Sequence, residues 1–224
     1  MLLSYQECLE QYGTDYNIKK QVAKGKLFVQ EKGVYSDKEK VSELEIIVKK
    51  YPKAIITLHS AFYYHGLVDV RPSCFHVATP KNARKISDSR VKQIYENSEA
   101  FDMGKTTMEC DGVDIMIYDK ERLLVELIRN KRKFSDSEYV RLLSSYRRIV
   151  QDLSIPKVTE YAQQLPKTNM VIETINKEIL GTVAISKVTA FRHKTLEERA
   201  AEYGGRLMLE SEYDWGEPVG REVW

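Results

Sequence analysis

Thr14-Asp15-Tyr16-Asn17-Ile18-Lys19-Lys20-Gln21-Val22-Ala23-Lys24-Gly25-Lys26-Leu27-Phe28-Val29-Gln30-Glu31-Lys32-Gly33-Val34-Tyr35-Ser36 is the stretch on which the reading of this chain turns. Thr14 or Asp15 can cap a helix through about Ala23, because their side-chain oxygens accept the free N–H groups of a first turn. Gly25 closes that helix. Residues 26–30 read as a strand, Glu31-Lys32-Gly33 as a turn, and Val34-Tyr35-Ser36 as a return strand. On the other side, Tyr5, Cys8, Leu9 and Tyr12 stand at helical spacing, and Gly13 ends that segment. Helix, tight turn, helix and hairpin in this order is the layout of a winged helix-turn-helix, which sets an N-terminal unit at residues 1–37.

Outward from this unit the pattern alternates. Val41, Leu44, Ile47 and Val48 give one apolar helical face over residues 41–51. Strands are expected at 54–57, 75–79 and 91–95, with a short helix at 60–65. Asp111-Gly112 joins strands 106–110 and 113–118, since both turn positions favour positive φ. Asp119 begins a helix carrying Leu123, Leu124, Leu127 and Ile128. Ser135-Asp136-Ser137-Glu138 is a capping box for the next helix. Pro156 opens a further helix as its first residue, and Thr168 caps a last one that stops at Gly181. The expected class is mixed α/β: a winged helix-turn-helix, then a small mixed sheet with helices and C-terminal helices over 38–181, then an extended acidic tail over 182–224.

Of 224 residues, 42% are hydrophobic and 30% charged, which supports a packed core and excludes wholesale disorder. No apolar run approaches the roughly 20 residues a membrane helix needs, and residues 1–7 do not read as a secretory signal. Cys8, Cys74 and Cys110 have no CxxC spacing, so the expected compartment is the reducing cytoplasm. The net charge is +2, so there is no global basic field for nucleic acid. Its distribution matters more. Residues 16–26 hold Lys19, Lys20, Lys24 and Lys26 and no acid, whereas 209–224 hold five acids against Arg221.

The lysine helix is the first candidate site. Thr14, Tyr16, Asn17, Lys19, Lys20 and Lys24 are placed to meet base edges or phosphates, with Lys26 and Lys32 flanking the wing. The alternative is a solvated lysine face. Phosphate contacts should dominate, because lysine is a point charge with little sequence information. Arg129, Lys131, Arg132 and Lys133, with Arg141, Arg147 and Arg148, form a second basic area that suits either solvent or an anionic partner. His59, His65 and His76 lack metal-ligand spacing and read as structural rings. Asp111, Asp114 and Glu121 do not form a nuclease's acidic triad, and Asp111 and Asp119 are explained by turn and cap roles. No catalytic group, cofactor or metal is therefore expected.

The segment Tyr51-Pro52-Lys53-Ala54-Ile55-Ile56-Thr57-Leu58-His59-Ser60-Ala61-Phe62-Tyr63-Tyr64-His65-Gly66-Leu67 resembles the centre of AbiEi-type antitoxins of bacterial type IV toxin–antitoxin systems. Gly33-Val34-Tyr35-Ser36, Tyr118-Asp119-Lys120-Glu121-Arg122-Leu123-Leu124 and Leu165-Pro166-Lys167-Thr168-Asn169-Met170 extend the likeness over roughly 4–181. The resemblance implies a winged-helix repressor of its own operon and an antitoxin domain that counters a nucleotidyltransferase-type toxin. With the lysine helix it sets the expected partner as operator DNA, bound by a homodimer on an inverted repeat. Residues 213–224 are similar to the toxin-binding end of MazE-type antitoxins. That likeness implies a MazF-like endoribonuclease as the alternative partner, held by Asp214, Trp215, Glu217, Val219, Glu222, Val223 and Trp224. Large aromatic anchors ringed by carboxylates suit a basic groove.

Overall fold

The computed structural model of the protein describes residues 1–181, so the tail residues 214–224 proposed to bind a partner lie outside the described residues. The chain is mixed α/β, with a small antiparallel sheet and a larger mixed sheet.

The first elements are β1 (Leu2–Ser4), α1 (Tyr5–Tyr12), α2 (Asp15–Ala23), β2 (Phe28–Glu31) and β3 (Val34–Ser36). The three strands pair in the order β1-β3-β2. Strand β1 is absent from the sequence reading. Three residues are too few to show a period, yet the pleat sends adjacent leucines to opposite faces. Leu3, opposite Tyr35, joins Cys8, Ile18 and Leu27 beneath α1 and α2. Leu2, opposite Ser36, joins Val34 and Ile46 on the other face. Ile46 belongs to α3 (Glu43–Lys50), so the small sheet is covered on both sides. Strand β2 starts two residues later than the pattern suggested and carries a register shift between Val29 and Glu31. Such a bulge sharpens the local bend of the hairpin.

The larger sheet has the order β6-β5-β4-β8-β7. Its strands are β4 (Ile55–Ile56), β5 (Phe75–Pro80), β6 (Val91–Glu96), β7 (Lys105–Cys110) and β8 (Val113–Tyr118). Strand β4 runs parallel to β8 and antiparallel to β5. The β7–β8 turn has Asp111 at φ 53° and Gly112 at φ 76°, the two positive angles its sequence calls for. Helix α4 (Leu58–Tyr64) starts two residues before the expected position, and α5 (Ser98–Phe101) is a single turn that the pattern does not reveal.

Helix α6 (Lys120–Arg129) runs through the middle of the main core: every residue from Arg122 to Ile128 is buried. Asp119 caps it, accepting from the Arg122 N–H at 2.8 Å. Buried Arg122 pairs with Glu126 at 2.7 Å, and Glu126 pairs again with Arg129 at 2.6 Å, so neither charge is buried alone. Helices α8 (Ile155–Gln164) and α9 (Thr168–Thr174) pack against it, α7 (Asp136–Arg148) reaches it through the Tyr146 hydroxyl, which donates to the Lys120 carbonyl at 3.0 Å, and α9 continues as a wide π turn, Ile175–Leu180. The expected capping box of Ser135 and Glu138 forms. Two boundary details differ from the pattern. Pro156 is the second helical residue, after Ile155. Thr168 is not the cap of α9: Lys167 holds that place in left-handed backbone, and the Thr168 hydroxyl donates to the Leu165 carbonyl instead. Threonine can satisfy itself on a nearby carbonyl, which removes it from the capping role.

Candidate nucleic-acid interface

Helix α2 is amphipathic in an uneven way: of its nine residues only Ile18 is buried, at 1% exposure. Ile18 anchors the helix against Cys8 and Leu27, with Val22 half-buried beside it. At 100° per residue, Tyr16, Lys19, Lys20 and Ala23 then share one arc of the opposite side. Tyr16 is 73% exposed. Thr14, Asn17, Lys24, Lys26 and Lys32 are exposed as well, so all eight residues singled out in the sequence face solvent.

They are not equally free. Thr14 caps α2, its hydroxyl accepting from the Asn17 N–H at 3.3 Å. The Asn17 amide donates to the Tyr12 carbonyl at 2.9 Å across the Gly13 turn, so its side chain stitches α1 to α2. Lys19 pairs with Asp15 at 2.7 Å one turn back. That carboxylate, bonded to the ammonium, holds Lys19 above its ordinary pKa. Lys20, Lys24, Lys26 and Lys32 make no ion pair among the described residues. The arrangement is one tyrosine and two lysines on α2, Lys24 and Lys26 at and just past its end, and Lys32 on the hairpin turn.

The hairpin is held from behind. Glu31, the last residue of β2, reaches Lys50 of α3 at 2.9 Å and Arg90 at 2.5 Å. Asp88 completes the ring, meeting Lys50 at 2.8 Å and Arg90 at 2.7 Å. The Arg90 guanidinium keeps both the Asp88 and the Glu31 carboxyl below the usual carboxylate range, with Lys50 adding to it. Sequence reasoning missed this network. Its members lie up to 59 positions apart, and no local pattern marks them. A second tie joins Lys49 to Glu7 at 2.7 Å. That bond, with the capping contacts from Ser4, draws the Glu7 pKa down to about 2.

The other singled-out residues have structural employment. Asp119 accepts a hydroxyl bond from Tyr161 at 3.0 Å, and Glu121 accepts the Ser154 N–H at 2.8 Å. His65 meets the Tyr118 carbonyl at 2.8 Å. His59 and His76 lie with ring centroids 4.6 Å apart, and Phe134 stacks on His59. Burial pushes the His76 pKa down to about 4, helped by the facing His59 and by Lys92. Among the described residues no three His, Cys, Asp or Glu side chains converge as a metal site would need. Of the second basic area, Arg147 is taken by Glu178 at 2.9 Å and Arg148 by the Ser145 hydroxyl at 2.9 Å.

No protein-family model and no curated protein matches the chain. Among solved structures, the chain is similar to the crystal structure of the RV2827C protein from Mycobacterium tuberculosis, with 15% sequence identity and a TM-score of 0.51 over 75% of this chain and 68% of that one. At this identity the likeness is one of fold: a mixed α/β arrangement whose site residues must be argued from this chain itself.

Proposed function

We propose that the protein is a transcriptional regulator whose residues 1–37 form a winged helix-turn-helix, with α2 entering the major groove and the β2–β3 hairpin as the wing. The observation that carries the reading is the outward arc of Tyr16, Lys19 and Lys20 on a helix anchored by one buried residue. The order of elements supports it too. The helix pair lies between β1 and β2, and β3 pairs between those two strands. On this reading Lys24, Lys26 and Lys32 meet phosphates on either side. One donor of the Asn17 amide is committed to the Tyr12 carbonyl, which leaves its second N–H and its oxygen for the DNA.

The resemblance to AbiEi-type antitoxins supplies the wider proposal: a cytoplasmic antitoxin, without catalytic chemistry, that represses its own operon and counters a nucleotidyltransferase-type toxin. No helix among the described residues is long and apolar enough to cross a membrane. The test is a gel shift with the DNA upstream of the protein's own gene. Wild-type protein should shift it, and affinity should fall steeply with salt, as counterion release requires. Changing Lys19, Lys20 and Lys24 together to Glu should abolish the shift while leaving the circular-dichroism spectrum intact. Undiminished binding by the triple variant would overturn the reading.

A second reading rests on residues 209–224, whose acids and Trp215 and Trp224 suit a basic protein surface. It makes the chain chiefly a neutraliser of a MazF-like endoribonuclease. Loss of toxin rescue on removal of residues 183–224 would favour it, and intact rescue would refute it.

A further inference from the structure

Between the C-terminal end of α6, the outer side of α7 and the α9–π helix lies an open groove of about 900 Å³. Five cations line it: Arg129, Lys131, Arg132, Lys167 and Lys177. Two acids, Glu173 and Glu178, stand against them. The cations differ in freedom. Arg129 is committed to Glu126, Lys167 donates to the Arg129 carbonyl at 3.0 Å, and Lys131 lies 4.9 Å over the Tyr139 ring. Arg132 and Lys177 are exposed and have no ion pair among the described residues. Between the charges the floor is apolar. Val140 is 58% and Met170 39% exposed, and Ile128 and Leu143 lie deeper.

Two features of the groove select its occupant. Five cations against Glu173 and Glu178 favour an anionic occupant, and charge alone does not distinguish a phosphate from a carboxylate. Exposed Val140 and Met170 gain nothing from a sugar–phosphate backbone, whereas an apolar side chain seated there removes both from water. We propose that this groove is a docking surface for an acidic polypeptide segment of a partner protein that carries aromatic or large aliphatic anchors. Carboxylates of the segment meet Arg132 and Lys177, and an anchor side chain covers Val140 and Met170. Arg147 pairs with Glu178 at 2.9 Å, so among the described residues Glu173 is the one lining acid without an ion pair, set against Arg132 and Lys177. The inference stands whether or not α2 binds DNA, because the residues of the two surfaces are different ones.

The probe is a fluorescein-labelled synthetic sixteen-residue peptide with five Glu and two Trp, titrated by anisotropy into the full-length protein. Binding is expected, and Arg132→Glu with Lys177→Glu should weaken it by about tenfold or more, since two attractions to the peptide's carboxylates become repulsions. Met170→Asp, which leaves every cation in place, should weaken it as well. A peptide with both Trp replaced by Ala should bind markedly less tightly. Operator shift by these variants should stay at the wild-type level, which separates this surface from the one proposed above. Three results would overturn the proposal: no binding of the peptide, equal binding of the Trp-free peptide, or displacement by a single-stranded oligonucleotide of matching charge that itself binds more tightly.

Discussion

At the scale of single residues, His76 shows how burial becomes a property that can be titrated. Its ring is 6% exposed and its Nδ1 has no hydrogen-bond partner among the described residues. The folded protein holds it neutral to about pH 4, whereas the unfolded chain protonates it near the ordinary value of 6.5. Between these two values the unfolded state binds the extra proton. Stability is therefore complete above about pH 6.5 and is lost as pH falls towards 4, by up to roughly 3 kcal/mol from this ring. His59 and His65, both lowered by burial, act in the same direction. Urea midpoints measured at pH 7.5 and 4.5 should show the loss, and His76→Gln should reduce it. A second residue-scale expectation concerns Thr14. Thr14→Ala removes the cap of α2 and should cost about 1 kcal/mol of stability in urea unfolding. Both side chains are plain in the sequence, but only Thr14 has a role that spacing reveals. The environment of His76 depends on His59 and Lys92, which come from other elements.

At the scale of elements, the hairpin and the loop before β6 illustrate what local pattern can and cannot convey. Turn residues and alternation mark the β2–β3 and β7–β8 hairpins, because the chemistry that closes a two- or three-residue turn is local. The ring of Glu31, Lys50, Asp88 and Arg90 is not local, so it was invisible until the backbone brought the four together. Arg90→Ala leaves Glu31 and Asp88 sharing Lys50 alone. It should destabilise the fold by about 2 kcal/mol, since charge-assisted bonds at partly buried positions are lost. If β2 and β3 are the wing, the same change should weaken operator binding without altering its salt dependence, because no phosphate contact is removed. A changed slope would show that Arg90 itself meets DNA. The missed strand β1 has a different cause. Met1-Leu2-Leu3-Ser4 is too short for any period, and what makes it a strand is the edge of β3 it finds.

At the scale of the whole described chain, α3 decides how the parts are joined. The boundary expected at residue 37 falls in the link just before it, and α3 then packs in both directions. Ile46 enters the cluster with Leu2 and Val34, while its neighbour Ile47, with Leu44, enters the main core with Ile55 and Phe62. Apolar spacing on residues 41–51 made the helix legible. It could not show two destinations, because a period records which faces are apolar and not what covers them. Substituting the two isoleucines by Ala should therefore give different signatures in native-state hydrogen exchange. Ile46→Ala should release amides of β1 and β3 first, and Ile47→Ala those of β4 and β8. Each should cost about 2–4 kcal/mol overall, as truncations of buried aliphatics do.

The thiol of Cys8 is wholly enclosed on the inner face of α1, whereas Cys74 and Cys110 are only half-covered. That difference makes the N-terminal layer carry its own stopwatch. In native buffer an alkylating reagent should mark the two outer cysteines promptly and reach the inner one only during transient opening of the helix pair. The lag, read by mass spectrometry, would time how often that layer breathes, and, if α2 meets DNA as proposed, a duplex should lengthen it.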